Sequence, residues 1–311
     1  MQFVDAPTVH QLLDYPYLIE SLYQAHLGPH PETQHIVQQE PGNGENQFVT
    51  LVAWKRSAPI TVKMVGVFPG NLSLDPPQAS VKGLVALFDA KTGGPRLVAD
   101  GEAMTFRKTA ADSGLGARLL AREDVRTLLV VGAGGLAPHV IRAHCAARPS
   151  ISQVTIWNRT PERAQALAER IELSSIAIAA TRDLDKAVSN ADIISCVTMS
   201  DKPLVKGSLM KPGSHLDLVG AYRPSLREAD DQALNRGTVF VDTYDGMDSA
   251  GDLAQPVAAG IIEWNAVVAD YYALAQGRHP GRTSEDEITV CKNVGGGHLD
   301  LFAAEALFYK L

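Results

Sequence analysis

Apolar residues fall in short runs, and the way polar residues interrupt them changes about 120 residues into the chain. Before that point, residues 48–54, 60–68 and 83–89 are β-branched or apolar runs separated by turns such as PGNG and KTGG, which predicts an antiparallel or mixed sheet. Residues 101–120 read as one helix, rich in Ala and Gly and suited to close packing. Beyond it, apolar runs from Thr127 and Gln153, and at 175–180, 192–197, 215–219 and 238–243, alternate with helical stretches. Those stretches include one opened by Thr160-Pro161-Glu162, one at 183–189 and one at 225–235. A hydroxyl cap, a proline at the first position and an acid in the first turn mark the helix start at Thr160. Strand alternating with helix predicts a parallel, doubly wound sheet. Residues 299–311 keep helical apolar spacing with no strand after them, so this helix is expected to rejoin the first part of the chain. The expected organisation is α/β. A Rossmann domain spans 121–294, and a mixed α/β domain is built from 1–120 and 295–311.

Composition narrows the function classes. Hydrophobic content of 45% and charged content of 20% describe a globular chain with an ample core. A net charge of −7 and a pI near 5.7 argue against nucleic acid or an anionic membrane surface as partner. No apolar run approaches the roughly 20 residues of a spanning helix, and MQFVDAPTVH lacks a signal-peptide pattern. Cys145, Cys196 and Cys291 sit in apolar runs and read as reduced core residues, so a cytoplasmic location is expected. His26, His30 and His35 match no tight metal pattern, and no metal site is expected. His139 and His144 read as packing or surface residues of a helix.

The most specific chemistry lies in TLLVVGAGGLAPHVIRAH, from Thr127. A strand runs into Gly132-Ala133-Gly134-Gly135-Leu136-Ala137 and then a helix. Gly132 permits the tight turn, Gly134 lets backbone approach a pyrophosphate, and Ala137 keeps helix and strand close. The helix N-terminus adds unpaired N–H groups and a positive dipole. The second strand ends in Asn158-Arg159-Thr160 where NAD-preferring sites carry an acid for the ribose 2′-hydroxyl. Arginine with amide and hydroxyl donors suits a 2′-phosphate, so NADPH (NADP+) is expected, with NADH kept open as the alternative cofactor. Ligands of such sheets lie at the carboxyl ends of the strands. Segment 195–198, with Val197 and Thr198, segment 220–223, just past Val219, and segment 243–246 are therefore expected on the cofactor side.

KMVGVFPGN, GLVALFDAKTGGP, DGEAMTFRKTAA, VVGAGGLAPH, IWNRTPERA and VCKNVGGGHLDLFAAEA, in that order, span nearly the whole chain. Together they resemble the ornithine cyclodeaminase/mu-crystallin family. The resemblance implies a two-domain subunit whose first domain binds substrate and forms a homodimer, with chemistry on an imine and a nicotinamide. It maps carboxylate-binding cations onto Lys63 and Arg107, since an α-imino carboxylate must be held rigidly. The family's arginine near residues 30–35 is absent here, with Gln34 or His35 as substitutes. Cyclodeaminases carry an aspartate where this chain has Tyr222, in GAYRP. Loss of that acid removes the partner of ornithine's distal ammonium.

The expected activity is NADPH-dependent reduction of a cyclic imino acid, Δ1-pyrroline-2-carboxylate or Δ1-piperideine-2-carboxylate, to L-proline or L-pipecolate. Two alternatives stay open: an ornithine cyclodeaminase with bound NAD, and a non-catalytic NADPH-dependent binding protein of mu-crystallin type. Lys63, Tyr222 and His298 are candidate proton donors to the imine. Asp300 is either a cleft residue or a first-turn helix acid.

Overall fold

The computed structural model describes every residue except Asn43 and Pro77, and Leu72 without its side chain. The PGNG turn contains Asn43 and so lies partly outside the described residues. Contacts divide the chain into two units, Met1–Thr109 with Gly296–Leu311, and Ala110–Gly295. The first division falls inside the long helix rather than at its end near 120.

The first unit opens with β1 (Gln2–Val4), α1 (Ala6–Leu12) and α2 (Tyr15–His26). Asp5 and Asp14 cap the two helices, accepting from the N–H groups of Thr8 (3.0 Å) and Tyr17 (2.9 Å). Next come β2 (Glu32–Gln39), β3 (Gln47–Trp54), β4 (Ile60–Val67), β5 (Val81–Phe88) and β6 (Pro95–Asp100), and then α3 (Gly101–Leu120). The sheet order is β1-β6-β5-β4-β3-β2, antiparallel throughout except for the parallel pairing of β1 with β6. The mixed sheet is as the sequence implied. Gly83 and Gly101 are forced by proximity: a Cβ on Gly101 would lie 2.5 Å from the Gly83 carbonyl carbon.

The second unit contains β7 (Thr127–Val131), α4 (Ala137–Ala147), β8 (Gln153–Trp157), α5 (Pro161–Arg170), β9 (Ala177–Thr181), α6 (Leu184–Asn190), β10 (Ile193–Cys196) and β11 (His215–Leu218). It continues with α7 (Asp231–Arg236), β12 (Thr238–Val241), α8 (Gly251–Ala258), β13 (Val267–Asp270), α9 (Tyr271–Ala275) and β14 (Thr289–Lys292). Its eight strands are all parallel, in the order β13-β12-β14-β11-β10-β7-β8-β9. Buried Val, Ile and Leu residues of the central strands form its core. Strand order reverses at β7 and β10, the crevice where open parallel sheets place their ligands. The chain then returns to the first unit as α10 (Gly297–Phe308), which packs on β3, β4, β5 and α2. Among the described residues no helix is long and apolar enough to cross a membrane.

One predicted helix is shorter than expected. The stretch 225–235 is helical only from Asp231, because the preceding backbone is engaged elsewhere. The carbonyl of Glu228 accepts from Leu204 (2.8 Å) and Val205 (3.0 Å), and Ala229 bridges Val205. Asp230 then caps α7 through the N–H of Ala233. Strand β14, the last to form along the sequence, inserts between β11 and β12.

Candidate functional site

In the first unit the alternation of β4 turns Thr61, Lys63 and Val65 to the buried face. Lys63 Nζ donates to Thr105 Oγ1 at 2.7 Å and stands 3.6 Å from Asp300 Oδ1. Lys108 Nζ pairs with the same Asp300 oxygen at 2.6 Å and donates to the Gly296 carbonyl at 3.1 Å. Thr105 and Lys108 are i and i+3 on α3 and so share a face. Asp300 lies in the first turn of α10 and is 1% exposed; Lys63 and Lys108 are 8% and 6% exposed. Asp300 Oδ2 is buried with no hydrogen-bond donor among the described residues. Two ammoniums thus share one carboxylate, leaving a buried net charge of about +1 that calls for an anion. Burial pushes Lys63 down to about 8; Asp300 opposes the shift and Lys108 adds to it.

Arg107 is placed differently. Its Nε donates to His10 Nδ1 (3.0 Å), its Nη2 donates to the His10 carbonyl (2.7 Å), and the guanidinium lies 4.6 Å from the Tyr15 ring centroid. These contacts fasten α1 and α2 to α3. The cation that joins Lys63 is the next residue, Lys108, which sequence reading passed over. One residue along a helix turns a side chain by about 100°, so adjacent basic residues cannot do the same work. The spacing from Thr105 was the available signal.

His298, expected as a candidate proton donor, lies in the core of the first unit. It is 1% exposed, with its ring 5.9 Å from His26, 5.3 Å from His30 and 5.9 Å from Phe302, centroid to centroid. Burial, with His26, His30 and Lys108 nearby, holds its pKa well below the ordinary imidazole value, so the ring is neutral at neutral pH. Register separates the two substitutes for the absent arginine. His35 is aligned with Leu51, and Leu51 with Lys63, so His35 shares the Lys63 face two strands away, about 10 Å. Gln34 belongs to the opposite face.

In the second unit Gly132 has φ +121°, and a Cβ there would lie 2.9 Å from the Val197 carbonyl. Gly134 has open space around its absent Cβ, so backbone is bare where a pyrophosphate would approach. Gly135, Leu136 and Ala137 lead into α4, whose N-terminus has no side-chain cap. These features fit a dinucleotide. Asn158 Nδ2 donates to the Thr160 carbonyl at 3.0 Å, Arg159 is exposed, and Thr160 begins α5 without a side-chain capping bond.

Val197 N–H donates to Val131 (2.9 Å) and Val219 N–H to Cys196 (3.0 Å), placing Thr198 and Gly220 on adjacent strand ends. Tyr222 follows, 49% exposed, with the Arg223 guanidinium 5.3 Å from its ring centroid. Deeper, Asp217 accepts from Ser195 Oγ (2.6 Å) and Asn293 Nδ2 (2.8 Å) and meets His144 Nε2 at 3.1 Å, so His144 is a core residue. Burial raises the thiol of Cys145 to about 11 and those of Cys196 and Cys291 well above the usual value, which suits packing and not attack. Sequence reading missed Glu228, which is fully buried beneath Thr198 and Gly220.

The parallel sheet and its glycine turn define a Rossmann-type dinucleotide-binding protein, and the other unit holds the buried Lys63–Asp300–Lys108 cluster. The profile of the Ornithine cyclodeaminase/mu-crystallin family matches residues 8–310, and the chain belongs to that family. A Δ1-pyrroline-2-carboxylate reductase of Paracoccus denitrificans is 39% identical over 287 residues, 92% of this chain and 89% of its own. Protein SAR DEFICIENT 4 of Arabidopsis thaliana is 38% identical over 312 residues, 97% of this chain and 95% of its own. Among solved structures, Thermococcus litoralis Δ1-pyrroline-2-carboxylate reductase in complex with NADH and L-proline superposes with a TM-score of 0.91 at 26% identity. That match covers 100% of this chain and 97% of the other.

Proposed function

We propose that this protein reduces a cyclic α-imino acid, Δ1-pyrroline-2-carboxylate in the first instance, with NADPH as the reductant. The observation that carries the reading is the buried Lys63–Asp300–Lys108 cluster, whose net charge of about +1 is completed by one substrate carboxylate. Lys63 and Lys108 take the anion-binding role, and Arg107 holds the helices in place. Relatives named Δ1-pyrroline-2-carboxylate reductase, at 39% and 32% identity, support the substrate class.

The glycine turn at 132–137 and the backbone at Val197, Thr198 and Val219 would hold the dinucleotide, with Asn158, Arg159 and Thr160 on a 2′-phosphate. Bound there, the reduced nicotinamide supplies a hydride to C2 of the imine. The protein's own contribution is orientation and a proton. Lys63, held near pKa 8, is still protonated at pH 7 and is a stronger acid than an ordinary lysine. It can protonate the imine nitrogen or keep it protonated while Lys108 grips the carboxylate. Asp300 keeps the two ammoniums together and offers its free oxygen to an N–H of the substrate.

A homodimer through the first unit accompanies this reading. Ile36, Phe48 and Trp54 share the sheet face opposite Lys63 and are 58%, 47% and 53% exposed, an apolar surface that a second copy would cover. Sedimentation should give a dimer, and Trp54→Glu should shift it towards monomer.

The activity test is NADPH oxidation against Δ1-pyrroline-2-carboxylate, Δ1-piperideine-2-carboxylate, and pyruvate with ammonia, beside ornithine with NAD. Turnover of a cyclic imine well above the other substrates supports the proposal. Absence of cyclic imine reduction defeats it.

A further inference from the structure

The strand ends after β10 and β11 are fastened to one another by a single buried carboxylate. Glu228 Oε1 accepts from the Thr198 N–H (2.6 Å) and Thr198 Oγ1 (2.9 Å), and Oε2 accepts from the Gly220 N–H (2.7 Å). The two loops touch backbone to backbone at this point. A Cβ on Gly220 would lie 1.7 Å from the Thr198 carbonyl oxygen, so only glycine fits. The phosphate turn meets this region at Val197, through the absent Cβ of Gly132, and Glu228 makes no bond to Val197.

Glu228 is itself held in place. Asp252, on α8, accepts from the N–H groups of Glu228 (2.7 Å) and Ala229 (3.2 Å), and its other oxygen stands 3.4 Å from Lys292 Nζ. Lys292, on β14, is fully buried and its charge also acts on Asp242, the residue just after β12. Asp242 ties the next loop by accepting from Val294 (2.7 Å) and Gly295 (2.8 Å). Cys196, on β10, also feels the charges of Glu228, Asp252 and Lys292. Burial and then the Asp252 charge raise Glu228 to about 7, with Lys292 and the Thr198 bonds opposing them.

We propose that Glu228 is a positioning residue of the dinucleotide site, setting the Thr198 and Gly220 strand ends at the spacing required by the nicotinamide end of the cofactor. The adenine end, carried by the glycine turn and residues 158–160, does not depend on it. The inference rests on the dinucleotide reading above and concerns residues outside the imino acid site.

The test uses the full-length protein and two ligands, NADPH and 2′-phospho-ADP-ribose, which lacks the nicotinamide. Glu228→Gln keeps the shape but sets an amide NH2 against one of the N–H donors. Its Kd for NADPH should rise roughly tenfold, the scale of one lost charge-assisted hydrogen bond, while the Kd for the fragment stays within about twofold. Should that variant fail to fold, the unmodified protein carries the test. The ratio of NADPH affinity to fragment affinity should increase as pH rises through about 7, because the ionised carboxylate accepts from both loops. The phosphate's own titration cancels in that ratio. Equal weakening of both ligands, no weakening of either, or a ratio constant with pH overturns the proposal. An unmodified protein that binds neither ligand defeats the dinucleotide reading itself, and the proposal with it.

Discussion

Lys108→Met removes one of two ammoniums while keeping most of the buried stem. In the native cluster Lys63 and Lys108 share Asp300 and leave about one positive charge, which the proposed function assigns to a substrate carboxylate. In the variant Lys63 and Asp300 cancel, and that demand disappears. A hydrogen bond to a charged group contributes about 1.5–3 kcal/mol, and about 1.4 kcal/mol is tenfold in affinity. KM for Δ1-pyrroline-2-carboxylate should therefore rise roughly 10- to 100-fold, with NADPH affinity little changed. A second readout follows from electrostatics. Burial is the larger cause of Lys63's depressed pKa, and Lys108 contributes to it. With Lys63 as the acid, kcat/KM falls as pH rises through about 8, and removing Lys108 should move that alkaline limb upward. Arg107→Met is the matched control. It loses two bonds to His10 and the contact with Tyr15, so it should lower the melting temperature more than it alters KM. The assay is steady-state NADPH oxidation across pH 6–10, with cofactor binding measured separately. An unchanged KM in Lys108→Met, together with a large KM rise in a stably folded Arg107→Met, would refute the assignment.

Three further outcomes are expected. Arg159→Ala should weaken NADPH binding about tenfold or more and leave NADH nearly untouched, since only the 2′-phosphate engages that guanidinium; equal affinity of the unmodified protein for both cofactors would sink the NADPH reading. Ornithine with NAD should release no ammonia at a rate comparable with imine reduction, because Tyr222 supplies no counter-charge and Arg223 beside it repels a distal ammonium. Robust ammonia release would restore the cyclodeaminase alternative. Glu228→Gln should flatten the pH dependence of stability. Glu228's folded pKa, about 7, lies above its ordinary 4.5, so its contribution to stability is present below pH 4.5 and lost as pH rises through 7. Chemical denaturation at pH 5 and pH 7.5 should show a smaller difference in the variant than in the unmodified protein, and an equal difference would contradict the burial argument.

The sequence alone determined the features that local rules govern. The glycine turn, the proline-led start of α5, the strand before KTGG and the limits of α3 follow from backbone sterics and apolar period, and they stand where the pattern put them. The family was likewise legible from ordered motifs. What only the tertiary structure decided involves residues far apart in the chain. Which of Arg107 and Lys108 meets Lys63 depends on the rotation of α3 against β4 and on α10 bringing Asp300 to both. No local pattern reports that rotation, and the arginine's suitability for a carboxylate drew attention to a residue that instead packs on His10 and Tyr15. His298 reads equally well as a proton donor until burial among His26, His30 and Phe302 removes its charge. Glu228 falls in the 225–235 stretch read as a helix, where nothing local singled it out. It became a buried clamp because β14 inserts between β11 and β12, carrying Lys292 into the core, and because Asp252 draws the 228–229 backbone out of helical form. Charge, burial and partner at such positions are set by contacts across many residues, so their chemistry exists only once the sheet is assembled.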